Sequence, residues 1–322
     1  MDVSPELQKT VSPKSFSWNF GDTVFKYLTQ FFASLVLLMI LLMAYEMYAS
    51  SSLSIQKFGW SFLTSSEWDP VMDKYGALPF IYGTLVSSLL ALVIALPLGI
   101  GIAVFLVELA PKWLERPFSF TVELLAGIPS IVYGLWGFFI MVPWLRSTVE
   151  PFFSKHVGFI PLFEGAPYGV GMMAAGVILS IMILPIIASI SRDVLKAVPI
   201  SQKEAALALG STRWEATRIG LSYSRSGIIG ATILGLGRAL GETMAVTMVI
   251  GNRPVIKASL LEPGYTMASV LANEFTEATS EMYISALIEI ALVLFVVALL
   301  VNASARLLVW SFTRNSDTGG RL

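Results

Sequence analysis

A chain of 322 residues that is 55% hydrophobic and only 13% charged cannot bury its apolar surface in a water-soluble core, so much of it must face lipid. The net charge of −1 argues against a nucleic-acid partner. There is no cysteine, which excludes thiolate catalysis, redox chemistry and disulfides, and the single histidine, His156, argues against a histidine relay or a histidine-ligated metal.

Residues 1–25 hold few apolar residues in register and read as a cytoplasmic N-terminal tail. Six apolar stretches follow, at 28–48, 78–107, 120–142, 169–190, 227–250 and 283–309, each long enough for a hydrocarbon core of about 30 Å. They predict one all-α integral membrane domain over 26–310, with a C-terminal tail at 311–322. The first stretch exceeds the 7–15 apolar residues of a cleaved signal peptide and reads as a retained span. The second exceeds what a bilayer needs, which predicts tilt or projection.

Lys and Arg set the orientation. Fourteen fall in the N-terminal tail, the loop after the second stretch, the 191–226 loop and the C-terminal tail; six fall in the alternate loops. The 191–226 loop alone carries Arg192, Lys196, Lys203, Arg213, Arg218 and Arg225. The positive-inside rule places that loop and both termini in the cytoplasm. Trp60 and Trp68, in the external 49–77 loop, suit the membrane interface.

Glycine and proline interrupt the second and third stretches, at Pro97, Gly99 and Gly101 and at Gly127, Pro129, Gly134 and Gly137. Two readings stand: close helix approach, or broken turns that line a path. Glu123, in the third stretch, reads as solvated near the cytoplasmic interface.

The 191–226 loop contains a polar motif between apolar spans. Ser201 and Glu204 have capping-box spacing, Ile200 can staple onto Ala205, and Gly210 supplies a left-handed stop. Thr212 and Glu215 open a second helix by the same box. The first helix, of about eight residues, is too short to persist alone. With Ala205, Ala206 and Leu209 small or apolar, it predicts a docking element for a cytoplasmic partner.

In the fifth stretch Gly227, Ala231, Gly235 and Ala239 form a small-residue series suited to helix contact. Arg238 and Glu242 lie near its middle, four residues apart on one helical face. Charges at that depth are expensive. Either the two neutralise each other, or Arg238 compensates a passing anion while Glu242 restrains it. Glu289, in the last stretch, is a candidate for pairing with a neighbouring chain. No P-loop, nucleophile elbow or zinc motif occurs, so driven transport would draw on an ion gradient or on another subunit.

Glu204-Ala205-Ala206 followed by Gly210 resembles the EAA loop of bacterial ABC importer permeases, although Ser222 stands where that pattern has proline. Residues 95–105, 123–137, 234–252 and 271–275 together resemble the PstC-type permeases of phosphate ABC importers. The resemblance implies a type I importer bundle in the bacterial inner membrane, transporting rather than catalysing. It implies a second permease subunit, two ATPase subunits that hold the ATP, and an extracytoplasmic phosphate-binding protein; no cofactor or metal is expected on this chain. Ser201, Glu204, Ala205, Ala206, Leu209 and Gly210 would couple to the ATPase, and Arg238 and Glu242 would match the charged pair on the phosphate path. A permease for sulfate or molybdate, or an ion-coupled secondary carrier, remains the alternative on the residues alone.

Overall fold

The structure, a computed structural model, describes residues 20–317; residues 1–19 of the expected N-terminal tail and residues 318–322 of the C-terminal tail lie outside it. The chain divides into two units, Met1–Glu46 and Met47–Leu322. The first is built on helix α1 (Phe20–Ser50), whose run Gly21–Ser50 is apolar and long enough to cross a membrane.

In the second unit, two short helices, α2 (Ser52–Phe58) and α3 (Ser61–Thr64), precede the long α4 (Leu78–Val104), which ends in a π turn at Phe105–Leu109. Next come α5 (Lys112–Ala126), α6 (Ser130–Trp136), α7 (Val142–Trp144) and α8 (Glu150–Val157), with π turns between α6, α7 and α8. Then follow α9 (Met172–Lys196), α10 (Ile200–Ala208), α11 (Arg213–Leu240) and α12 (Met244–Val249). Helices α13 (Met267–Glu274) and α14 (Glu281–Asp317) close the described chain, so residues 311–317 continue a helix.

Four helical runs are long and apolar enough to span: Gly21–Ser50, Leu78–Leu109, Met172–Lys196 and Glu281–Leu307. A fifth is bent: Lys112–Ala126 and Ser130–Val157 meet at 93°, because Gly127-Ile-Pro129 interrupts the helix and proline cannot continue the preceding ladder. The expected count of six uninterrupted spans is therefore corrected. The expected span at 227–250 is two helices, α11 and α12, separated at 241–243, and it carries the charged Arg238 and Glu242. Among the described residues, β-type pairing is limited to an isolated bridge between Asp69 and Lys74.

Helix α9 is the centre of the unit. It packs along α4 and against α5 and α11, and Ile178, Ile183, Ile187 and Leu195 are fully buried. Glycines allow the approach. A Cβ at Gly176 would stand 2.4 Å from Leu90 of α4, and one at Gly227 the same distance from Val194 of α9. Gly235 faces Ile187 and Ile183, and Ala231 and Ala239 are buried on the same stripe. Helix contact is thus the role of that series.

A second cluster gathers Phe62, Tyr75, Phe80, Tyr265 and Leu287. Trp68 packs edge-on to Tyr75 and Phe80, and its Nε1 donates to Glu274 Oε2 at 2.8 Å. Trp68 is therefore part of this core, unlike Trp60, which is 86% exposed. Burial, with Asp73 nearby, pushes the Tyr75 phenol up to about 12; burial also raises that of Tyr265. Glu289 is buried, and its Oε2 has no partner among the described residues.

Candidate functional site

Two places bring together the residues singled out from the sequence: the exposed turn around α10, and the break between α11 and α12.

Helix α10 begins two residues earlier than its capping-box spacing suggests. Pro199 is the boundary residue, φ −57° and ψ 130°, and its carbonyl accepts from Gln202 N at 3.1 Å. Ser201 is consequently inside the first turn and makes no cap bond, which corrects the expected box with Glu204. Proline has its φ already set and lacks the N–H that a helix start would leave orphaned, so it opens the helix unaided. The expected staple is also absent: Ile200 is 71% exposed.

The far end agrees with expectation. Gly210 has φ +86°, Gly210 N donates to Leu207 O, and Ser211 N donates to Ala206 O, which together form a Schellman stop. Thr212 then caps α11: its hydroxyl accepts from Glu215 N, and the Glu215 carboxylate accepts from Thr212 N at 2.7 Å. That backbone hydrogen bond holds the Glu215 carboxyl below the usual range. Ser201, Glu204, Ala205, Leu209 and Gly210 are exposed; Ala206 is buried, where α10 packs on α11. Of the six residues expected to face a partner, Ala206 instead seats the helix on its own chain.

Ion pairs tie this turn to the body. Lys203 of α10 pairs with Glu108 in the π turn after α4, Lys196 with Glu115 at 2.5 Å, and Arg192 with Glu123 at 2.9 Å. Arg192 is 8% exposed and also holds Asp193. Glu123, expected to be solvated, thus has a partner. The partners of Glu108 and Glu123 lie 95 and 69 residues away, and no local pattern in the sequence marks them.

At the second place α11 stops at Leu240, and Glu242 turns out of helical register. Its N donates to Ala239 O at 3.4 Å, and its Oε1 accepts from Ala245 N at 3.3 Å, at the opening of α12. Arg238 and Glu242 therefore do not form the expected pair on one helical face. Arg238 has no ion-pair partner among the described residues, and its Nε is buried without a hydrogen bond. It lies close enough to Tyr133 of α6 for the two to interact electrostatically.

Helices α12 and α6 pack side by side: a Cβ at Gly134 would stand 3.0 Å from Ala245 Cα, and one at Gly137 would stand 3.2 Å from Val249. The two interrupted segments thus run together from their breaks. Tyr133 also spans the bend, its hydroxyl donating at 2.8 Å to Leu125 O in the last turn of α5, a carbonyl that Ile128 N also reaches. The described residues include no cluster of three or more His, Asp or Glu side chains placed to hold a metal ion.

The fold is similar to that of a chain of the MetNI methionine ABC transporter in an inward-facing conformation, with TM-score 0.51, 20% identity and coverage of 76% of this chain and 99% of that one. Sequence relatives are much closer. A phosphate transport system permease protein PstC of Mesorhizobium japonicum is 50% identical over 290 residues, covering 88% of this chain and 89% of that protein. Those of Xylella fastidiosa and Haemophilus influenzae are 49% and 44% identical over 299 and 317 residues, covering 91% and 97% of this chain and 92% and 99% of theirs. Residues 95–312 match the family described as binding-protein-dependent transport system inner membrane components. The chain belongs to that family, in its PstC group: it is a multi-pass membrane permease of the ABC importer kind, not an enzyme.

Proposed function

We propose that this permease passes inorganic phosphate inward, in company with a second permease subunit, two ATPase subunits and an extracytoplasmic phosphate-binding protein. It would sit in the bacterial inner membrane with both termini and the 191–226 loop in the cytoplasm. The observation that carries the reading is Arg238, a cation beside the break between α11 and α12 whose buried Nε has no partner. A cation with a buried, unpaired nitrogen is costly unless something completes it, and a passing oxyanion does so. Glu242, held by Ala245 N, is near enough in sequence to limit how tightly the anion is kept. A conduit needs sites that release what they hold. The transport named in its relatives supplies the anion's identity.

Coupling follows from α10. Its outer face, with Glu204, Ala205 and Leu209, offers apolar and acidic surface for an ATPase groove, and ATP is bound and hydrolysed there rather than on this chain. The test is reconstitution of the whole importer in vesicles. Arg238→Gln leaves the complex assembled and lowers labelled phosphate uptake about tenfold, the worth of one charge-assisted hydrogen bond. Wild-type uptake by the assembled variant refutes the path role. Competition by sulfate or molybdate reassigns the anion, and uptake without the ATPase subunits reassigns the protein to the carriers.

A further inference from the structure

Three carboxylates run down the turn after α4 and along α5, and each meets a cation from the α9–α10 side. Glu108 pairs with Lys203, Glu115 with Lys196 and Glu123 with Arg192. The order is antiparallel in sequence: as the acids ascend, the bases descend. The first pair begins on the helix whose outer face is free, and the third ends one turn before the Gly127–Pro129 bend. From there the Tyr133 hydroxyl bridges the bend to Leu125 O, and Tyr133 is within electrostatic reach of Arg238.

Shape supports the same line. Lys203 and Glu108 are only 18% and 19% exposed, so their pair is shielded from the water that weakens surface bridges. Gly220 of α11 leaves room for the lysine stem: a Cβ there would stand 3.3 Å from Lys203 Cε. Ala206, the other inward residue of α10, is buried and seats the helix. A displacement of α10 is thus resisted on its inner side by Lys203 and passed to the π turn that ends α4, two residues of chain before α5.

We infer that Lys203 and Glu108 are positioning residues that transmit movement of α10 to the turn joining α4 to α5 and, along α5, to the bend at Gly127–Pro129. This rests on α10 being the ATPase-facing element. The two pairs at Glu115 and Glu123 keep α5 moving with α9 as one body. Without the Lys203–Glu108 pair, α10 moves on its seat and the bend does not follow.

The experiment uses the full importer with its ATPase and binding protein, and reads phosphate taken up per ATP hydrolysed. Lys203→Glu and Glu108→Lys, each alone, keep the ATPase in the purified complex and lower that ratio about fivefold or more, a coupling loss of the usual size. The combined swap, Glu108→Lys with Lys203→Glu, restores it. Each single reversal strands a half-buried charge, so the neutral pair Glu108→Gln with Lys203→Gln is assayed beside them and shows the same fall. An unchanged ratio in the neutral pair, a swap no better than the singles, or loss of the ATPase from the singles overturns the inference. A wild-type chain that purifies without ATPase overturns the docking reading instead.

Discussion

Helices α10 and α11 both end at a glycine, and both return backbone donors to helical carbonyls. The buried atoms left over differ: a Ser211 hydroxyl at the first and an Arg238 guanidinium nitrogen at the second. Around Gly210 the donors return to α10 carbonyls, and the next helix opens with a complete capping box. Around Gly241 the N–H groups of Gly241 and Glu242 reach Ala239 O, but Arg238 Nε is buried unpaired, and at the far end of α12 Asn252 Oδ1 is too. A terminus that satisfies itself keeps one shape and can be presented to another protein. One that leaves buried polar atoms open carries an energetic debt of about 1–3 kcal/mol per group, which is tolerable where a transient occupant completes it. On the proposed function, the chain thus separates a handle whose backbone closes on itself from a path that holds a charged group without a partner.

The most damaging way to break this contrast is Gly210→Pro. Gly210 sits at φ +86° and donates its N–H to Leu207 O, whereas proline holds φ near −65° and has no N–H. The turn is lost, and co-purification of the ATPase with the variant is expected to drop to background. Retained ATPase would show that the stop is dispensable. Next in size is Thr212→Ala, which removes the cap of α11 at about 1 kcal/mol. Hydrogen exchange at the first α11 amides is expected to quicken about fivefold with the complex still assembled. Smallest is Ser201→Ala: with Pro199 opening the helix, exchange across α10 and ATPase binding remain as in the wild type. A loss like that at Thr212 would mean Ser201 caps after all.

How much could be read from residue order alone follows the range of each interaction. Gly210 and the Thr212–Glu215 box were legible because their partners lie within five residues. The apolar spans were legible because lipid imposes length and hydropathy on each separately. Ser201 misled because two valid start signals overlapped, and proline, two residues earlier, prevailed. The helix break at Glu242 was not legible: an i, i+4 pair presumes an unbroken helix, and tertiary contact of α12 with α6 overrides that local tendency. Gly127 and Pro129 announced an interruption but not an angle of 93°. The Glu108, Glu115 and Glu123 pairs join distant segments, and only the assembled fold identifies them.

The small-residue stripe of α11 divides that helix into an edge that tolerates no change and one that does. Opposite Gly227 and Gly235 the neighbouring side chains of α9 already occupy the space a larger residue would need, so even a methyl group must move them. Gly230, on another side of the same helix, has open space where a Cβ would be. Homologous permeases can therefore diverge, or be engineered, along the Gly230 edge while the α9–α11 seam stays as it is. A purchaser of new specificity in this scaffold should look beside the seam, never within it.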